Sequence, residues 1–174
     1  MDDDRRGGGS TIGARVVLQS VDEASLLIDN RNQWVSMKNG VIVFIAFLNG
    51  ARDETVERIV DIIFTCNFVE QVKDGQRKFV NIKEAGADFG IMLVPQAALA
   101  GKLKGSRMQF HSLLEQDRAS LMWSRLSAHT QKLSEEYEKV TPGREITVLP
   151  GVYGNRQGLQ IKSSGPNSMY FEVS

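Results

Sequence analysis

Few side chains of this 174-residue chain could attack a substrate. Cys66 is the only thiol, and His111 and His129 are the only imidazoles. A nucleophilic thiol needs an adjacent base and solvent access. Cys66 instead follows Ile62-Ile63-Phe64-Thr65 at the apolar end of a helical pattern, the ordinary setting of a buried structural thiol. His129 falls within a helix, whereas His111 follows a basic stretch and has a candidate binding role. One cysteine cannot form an intrachain disulfide or a Cys-rich zinc site, and two histidines would need carboxylates to hold a metal. The chain has no Gly-x-Ser-x-Gly elbow, P-loop, dinucleotide glycine fingerprint or His-Glu-x-x-His.

Two segments carry a different chemistry. Pro95 to Ser112 holds Lys102, Lys104 and Arg107 and no acidic residue, in a chain whose formal charge is zero. Gly101 and Gly105 let a ligand approach the backbone closely, and cations beside exposed N–H groups suit a phosphate chain. The plainer reading is a solvated basic loop. The second segment is Tyr153-Gly154-Asn155-Arg156-Gln157, followed by Ser163-Ser164-Gly165-Pro166-Asn167-Ser168, where Gly-Pro between strands is ordinarily a turn.

Elements of both kinds must position these segments. Arg15 to Ser20 reads as a strand and Ala24 to Ile28 as its neighbour; Val41 to Leu48 is an unbroken run suited to a strand buried on both faces. Val56, Ile59, Val60 and Ile63 have helical spacing. Lys73-Asp74-Gly75-Gln76 predicts a hairpin turn, and Phe89 to Val94 a strand stopped by Pro95. A second helix is expected over Asp117 to Val140, with Met122, Leu126, Leu133, Tyr137 and Val140 as its stripe and Thr141-Pro142-Gly143 as its end. Ile146 to Leu149, Leu159 to Ser163 and Met169 to Val173 read as closing strands. This is a mixed α/β pattern in which two helices cover one sheet face, leaving the other to further strands or a second subunit.

Lys+Arg and Asp+Glu each total 21, which excludes nucleic-acid binding by bulk charge but not by a local patch. With 41% hydrophobic residues, the chain can bury roughly two-thirds of its unfolded surface without a staple. Val41 to Leu48 is far short of the ~20 residues that span a bilayer, so no membrane role is expected. Met1-Asp2-Asp3-Asp4-Arg5-Arg6 lacks the apolar core of a secretory signal, and a cytoplasmic location is expected. Residues 1–13 read as a flexible tail and 14–174 as one domain.

Taken together, the segments resemble the D-aminoacyl-tRNA deacylase family from Arg15 to Val173. Arg15-Val16-Val17-Leu18-Gln19 matches its opening strand, and Pro95-Gln96-Ala97-Ala98-Leu99 stands at its Ser-Gln-Phe-Thr-Leu motif. Lys104-Gly105-x-Arg107-x-x-Phe110 looks like its basic loop, and Ser164-Gly165-Pro166-Asn167-Ser168 like its Gly-Pro motif. Proline in Pro95-Gln96, with the Lys102 to Ser112 and Tyr153 to Gln157 stretches, is closer to the animal-type branch of relaxed chirality.

The resemblance implies a three-layer α/β/β homodimer that hydrolyses the ester between an amino acid and the terminal adenosine of tRNA, without metal or organic cofactor. It implies oxyanion donors on the backbone of Gln96, Ala97 and Ala98, and tRNA contacts from Lys102, Lys104, Arg107, His111 and Arg156. Gly165-Pro166 of one subunit, with Ser164, would enter the partner's pocket. Conventional members hold that bond cis with an arginine after the strand glutamine; Ser20 stands there, so the bond is expected trans. A D-amino acid or a small L-amino acid is the expected substrate. The alternatives are a strict D-aminoacyl-tRNA deacylase and a non-catalytic tRNA-binding module.

Overall fold

Two long strands, β1 (Ala14–Leu27) and β2 (Trp34–Phe47), open the computed structural model, which describes residues 11–165 and 167–174. The expected tail up to Ser10, Pro166 and the Gly165-Pro166 bond lie outside the described residues. β1 and β2 pair antiparallel in one register from Ala14 with Phe47 to Leu27 with Trp34. The two short strands expected over 15–28 are therefore one. Asp22 and Glu23 break the alternation, but without Gly or Pro the chain does not turn back, and pairing resumes in the same register. The true turn is closed by Asp29, whose Oδ1 accepts from the N–H groups of Arg31, Asn32 and Gln33. Those bonds hold its carboxyl below the usual carboxylate range.

Then come α1 (Asp53–Thr65), β3 (Val69–Lys73), β4 (Gln76–Val80) and β5 (Phe89–Pro95). Val56, Ile59, Val60 and Ile63 are buried as their spacing predicts. Asp74 and Gly75 both have positive φ, 53° and 75°, as a tight hairpin turn requires. After a 3₁₀ turn at Ala97–Ala100, the expected basic loop proves to be a two-stranded hairpin, β6 (Lys102–Lys104) and β7 (Arg107–Gln109), turning at Gly105. The chain closes with α2 (Gln116–Val140), β8 (Ile146–Pro150), β9 (Leu159–Lys162) and β10 (Ser168–Val173).

The main sheet runs β10-β1-β2-β5-β8, with β9 paired to the distal half of β1. β5 lies parallel to both β2 and β8, and the other pairs are antiparallel. Both helices pack on one face, where Ile59 and Ile63 of α1 and Met122 and Leu126 of α2 meet Val16, Val43, Ile45, Ile91 and Leu93. On the other face, Ala24, Leu26 and Met37 cluster with Ile42, Met92 and Val94. The distal hairpin of β1 and β2, joined by β9, thus folds over the sheet as a second β layer. Asn39, at φ 49°, makes the bend. Gly40 and Gly90 make it possible: a Cβ on Gly40 would lie 2.3 Å from the Gly90 carbonyl oxygen, and one on Gly90 would lie 2.6 Å from Met37 Sδ. This is the expected three-layer α/β/β arrangement.

One part of the α2 stripe needs correction. Val140 is 74% exposed, because the last turn leads into Thr141-Pro142-Gly143 and away from the core. The buried stripe instead takes in Ala119, Trp123, Thr130 and Ser134. The two hydroxyls can be buried because they donate to the Leu126 and Gln131 carbonyls.

Candidate active site

Pro95 ends the β5 ladder because it has no N–H to donate. Gln96 makes the last tie to the sheet, its N–H donating to the Ile45 carbonyl at 2.8 Å, so this N–H is taken and Gln96 is not a free donor as expected. The chain then winds into the 3₁₀ turn, with Leu99 N–H on the Gln96 carbonyl and Gly101 N–H on the Ala98 carbonyl, both at 3.1 Å. Ala100 is fully buried and anchors the turn, while Ala97 and Ala98 face solvent. Their N–H groups, the first two of the turn, bond no backbone or side-chain acceptor among the described residues. Two adjacent donors are therefore free beside a polar strand end, and such a pair can hold a developing oxyanion.

A cavity of about 430 Å³ lies against this strand end. Pro95, Gln96 and Ala97 form one wall, Tyr153 to Arg156 another, and Phe47, Leu113 and Leu114 an apolar floor. The fold thus brings the start of the first sequence segment against the Tyr153 to Gln157 part of the second. Trp123 on α2 holds the second wall. Its indole N–H donates to the Gly151 carbonyl at 2.9 Å, and its ring lies 6.1 Å from that of Tyr153. Gln157 Oε1 accepts from Val152 N–H at 3.0 Å and closes the loop. Burial raises the pKa of the Tyr153 hydroxyl, which stays neutral.

Sequence reasoning missed Arg15. Its Nη1 donates to the Leu99 carbonyl at 2.9 Å and the Gly101 carbonyl at 3.2 Å, and its Nε meets Glu172 Oε1 at 3.1 Å. Only 13% of its side chain is exposed. One guanidinium thus clamps the far end of the turn that presents the free donors. A strand arginine with an apolar residue on each side was the available signal, but it does not reveal the target. Glu172 is held below the usual carboxylate range by hydrogen bonds from Tyr170 and Arg15.

The Ser163 to Ser168 part of the second segment lies elsewhere. Ser164 and Gly165 line a separate cavity of about 260 Å³ with Ser20 and Asn167, sharing no lining residue with the first. Ser20 N–H donates to the Asn167 carbonyl at 3.0 Å, and Asn167 Nδ2 reaches Ser20 Oγ and the Phe68 carbonyl, each at 3.3 Å. Ser163 Oγ donates to the Gly165 carbonyl at 2.9 Å. Lys102, Lys104 and Arg107 are exposed on the β6–β7 hairpin, with Lys104 directly opposite Arg107. His111 is exposed just beyond it, and Arg156 at the edge of the first cavity. Cys66 is half-buried at the end of α1, where its N–H bonds the Ile62 carbonyl. It lines a groove of about 1010 Å³ between α1 and β10, whose rim carries Glu54, Glu57, Asp61 and Glu172, with Arg58 paired to Asp61. That rim would repel a nucleic acid.

A mixed sheet carrying two helices on one face and a β layer on the other, with unpaired backbone donors at a strand end, defines an α/β/β protein with a backbone-built site. The sequence model described as D-Tyr-tRNA(Tyr) deacylase matches residues 17–172, and the chain belongs to that family. The human protein named D-aminoacyl-tRNA deacylase 2 is 31% identical, covering 88% of this chain and 90% of its own. Its chicken counterpart (Gallus gallus) is 29% identical over 77% of each. A solved structure described as a probable eukaryotic D-amino acid tRNA deacylase superposes with a TM-score of 0.78 at 27% identity, covering 93% of this chain and 100% of that one. The sequence resemblance to the family and to its animal branch is borne out.

Proposed function

We propose that the protein is a homodimeric aminoacyl-tRNA deacylase that removes D-amino acids and small L-amino acids from the tRNA 3′ end in the cytoplasm. The free N–H groups of Ala97, which lines the 430 Å³ cavity, and of Ala98 beside it carry this reading. Water adds to the ester carbonyl, the carbonyl oxygen takes up negative charge against those donors, and the carbon–ribose oxygen bond breaks. The neighbouring ribose hydroxyl helps to move the proton from the attacking water, and the products are the free amino acid and deacylated tRNA. An aminoacyl ester is already activated, so placement and charge stabilisation suffice and no acyl-enzyme is needed.

The dimer is supported by a length argument. Arg15 attends the 3₁₀ turn and Ser20 attends the Gly165 loop, and both lie on β1. Five residue steps along the strand separate them by roughly 16 Å. A loop that far away cannot select the substrate of its own chain's turn but is free to reach a partner's. A trans Gly165-Pro166 bond would turn its carbonyls away from that pocket and leave room for a methyl side chain.

Parallel hydrolysis of D-alanyl-, L-alanyl- and L-phenylalanyl-tRNA tests the reading. Turnover of the first two with the third spared is expected. Turnover of the D-ester alone would make the enzyme a strict D-aminoacyl-tRNA deacylase, and binding without turnover would make it a tRNA-binding module.

A further inference from the structure

Cations gather at a second place, behind the basic hairpin. A cavity of about 210 Å³ is bounded by Arg15, Lys102, His111, Asn49 and Ser112, and among the described residues no carboxylate lines it. In a chain with equal numbers of acidic and basic residues, that is a selected environment. The nearby carboxylate, Glu172, is already engaged by Arg15 Nε at 3.1 Å and by the Tyr170 hydroxyl at 2.6 Å. Arg15 commits its Nε and Nη1 to Glu172, Leu99 and Gly101, while its Nη2 bonds no group among the described residues.

The cavity is also fixed in shape. Asn49 donates from its side chain to the His111 carbonyl at 3.2 Å and from its backbone to the Ser112 carbonyl at 2.9 Å. These bonds pin the turn that Leu113 N–H closes on the Phe110 carbonyl. The central N–H groups of that turn, those of His111 and Ser112, meet no acceptor among the described residues. Arg15, Lys102 and His111 thus line one space together with Ser112, and the His111 and Ser112 amides are left for a ligand, a set of donors that fits a tetrahedral oxyanion.

We propose that this cavity binds a single backbone phosphate of the tRNA 3′ end, through Arg15, Lys102, His111 and the His111–Ser112 amides. The proposal rests on the deacylase reading and deepens it by dividing the basic surface in two. Lys104 and Arg107 at the hairpin tip meet phosphates by charge alone, whereas this cavity takes one linkage in a defined position. Arg15 connects that linkage to the reaction, because the same guanidinium holds the Leu99 and Gly101 carbonyls of the turn beneath the ester. Phosphate and ester are thereby placed relative to one rigid group.

The test is a binding cycle that needs no turnover. The probe is a CCA-ending RNA hairpin, with each of its last three linkages replaced in turn by a neutral methylphosphonate, measured by fluorescence anisotropy. For the unmodified protein, one linkage should cost about tenfold in affinity, the scale of a charge-assisted hydrogen bond. In His111→Ala and in Asn49→Asp, that penalty should fall below about twofold, because the cavity no longer grips the phosphate. His111 and Asn49 are both exposed, so these variants should fold, and Lys102→Gln provides a third arm. A penalty as large in the variants as in the unmodified protein, or no linkage more costly than its neighbours, would overturn the proposal. The second result is also what a cavity reserved for free phosphate would give. Failure of the deacylase reading would appear separately, as absent turnover of charged tRNA with the cycle intact.

Discussion

Replacing Arg15 by methionine keeps most of the side chain's apolar stem and removes its donors. Two bonds to carbonyls disappear, at 2.9 and 3.2 Å, together with the Glu172 pair. A hydrogen bond from a charged donor contributes about 1.5–3 kcal/mol, and the longer of these two belongs at the low end. The Glu172 pair adds about 0–1 kcal/mol, since that carboxylate is 36% exposed and screened by salt. The expected stability loss is about 3–5 kcal/mol, or about 6–20 °C in Tm for a domain of this size. The kinetic effect follows from geometry. Leu99 and Gly101 close the turn that carries the two free N–H groups at the cavity's edge, so releasing them lets those donors drift. Complete loss of one oxyanion donor costs about 100- to 1000-fold, and a loosened pair should cost about 10- to 100-fold in kcat with KM little changed. Single-turnover hydrolysis of an aminoacyl-adenosine, which carries no backbone phosphate, isolates this step from RNA binding. Arg15→Lys should recover little, because one ammonium cannot reproduce the guanidinium fork that holds two carbonyls and a carboxylate. A folded Arg15→Met protein with kcat within twofold of the unmodified enzyme would refute the link between this clamp and the donors.

Three further outcomes are expected. Alanine at both Lys104 and Arg107 should weaken tRNA binding and flatten its dependence on salt by up to about one unit of slope for each phosphate no longer neutralised, read by titration at several salt concentrations; an unchanged slope would remove the hairpin tip from the interface. Cys66→Ser should leave the chemical step within about tenfold in a single-turnover assay, whereas a trapped acyl-enzyme or a thousandfold loss would establish a covalent route. Glu115 caps α2 by accepting from the N–H groups of Asp117 and Arg118, which hold its carboxyl below the usual value of 4.5. A depressed folded pKa stabilises above the unfolded value, and that stability vanishes as pH falls through the folded one. The Tm difference between the unmodified protein and Glu115→Gln should therefore be present near neutrality and shrink below about pH 4, as thermal melts across pH will show.

Local patterns were legible where a single interaction decides the outcome. The apolar spacing of α1 and the Asp74-Gly75 turn each follow from a few neighbouring residues, and each forms as expected. The single strand β1 was not legible, because whether Val21-Asp22-Glu23 turns or continues depends on a partner strand whose register is set elsewhere. The fold-over at Asn39 was hidden for a similar reason. Gly40 and Gly90 look like ordinary glycines until β2 and β5 are laid side by side and Met37 descends onto Gly90. The basic residues stood out by composition, and the Pro95-Gln96 motif through the family resemblance. Arg15 and Trp123 did not, because each acts on carbonyls more than 25 residues away in the chain.

The position of these carbonyls explains how a site can be built with so few reactive side chains. Trp123 holds Gly151, Arg15 holds Leu99 and Gly101, and Ile45 receives Gln96, so each wall of the cavity is fixed through its backbone. A wall fixed this way should tolerate changes in its own side chains. It tolerates changes in the anchoring residues poorly, because each leaves a carbonyl without a partner. The same logic holds at the Gly165 loop, where Asn167 joins Ser20 to the Phe68 carbonyl. Selectivity in such a protein depends on how main chain is held, so substitutions that alter it should fall at Arg15, Trp123 and Asn167 more often than along the cavity lining.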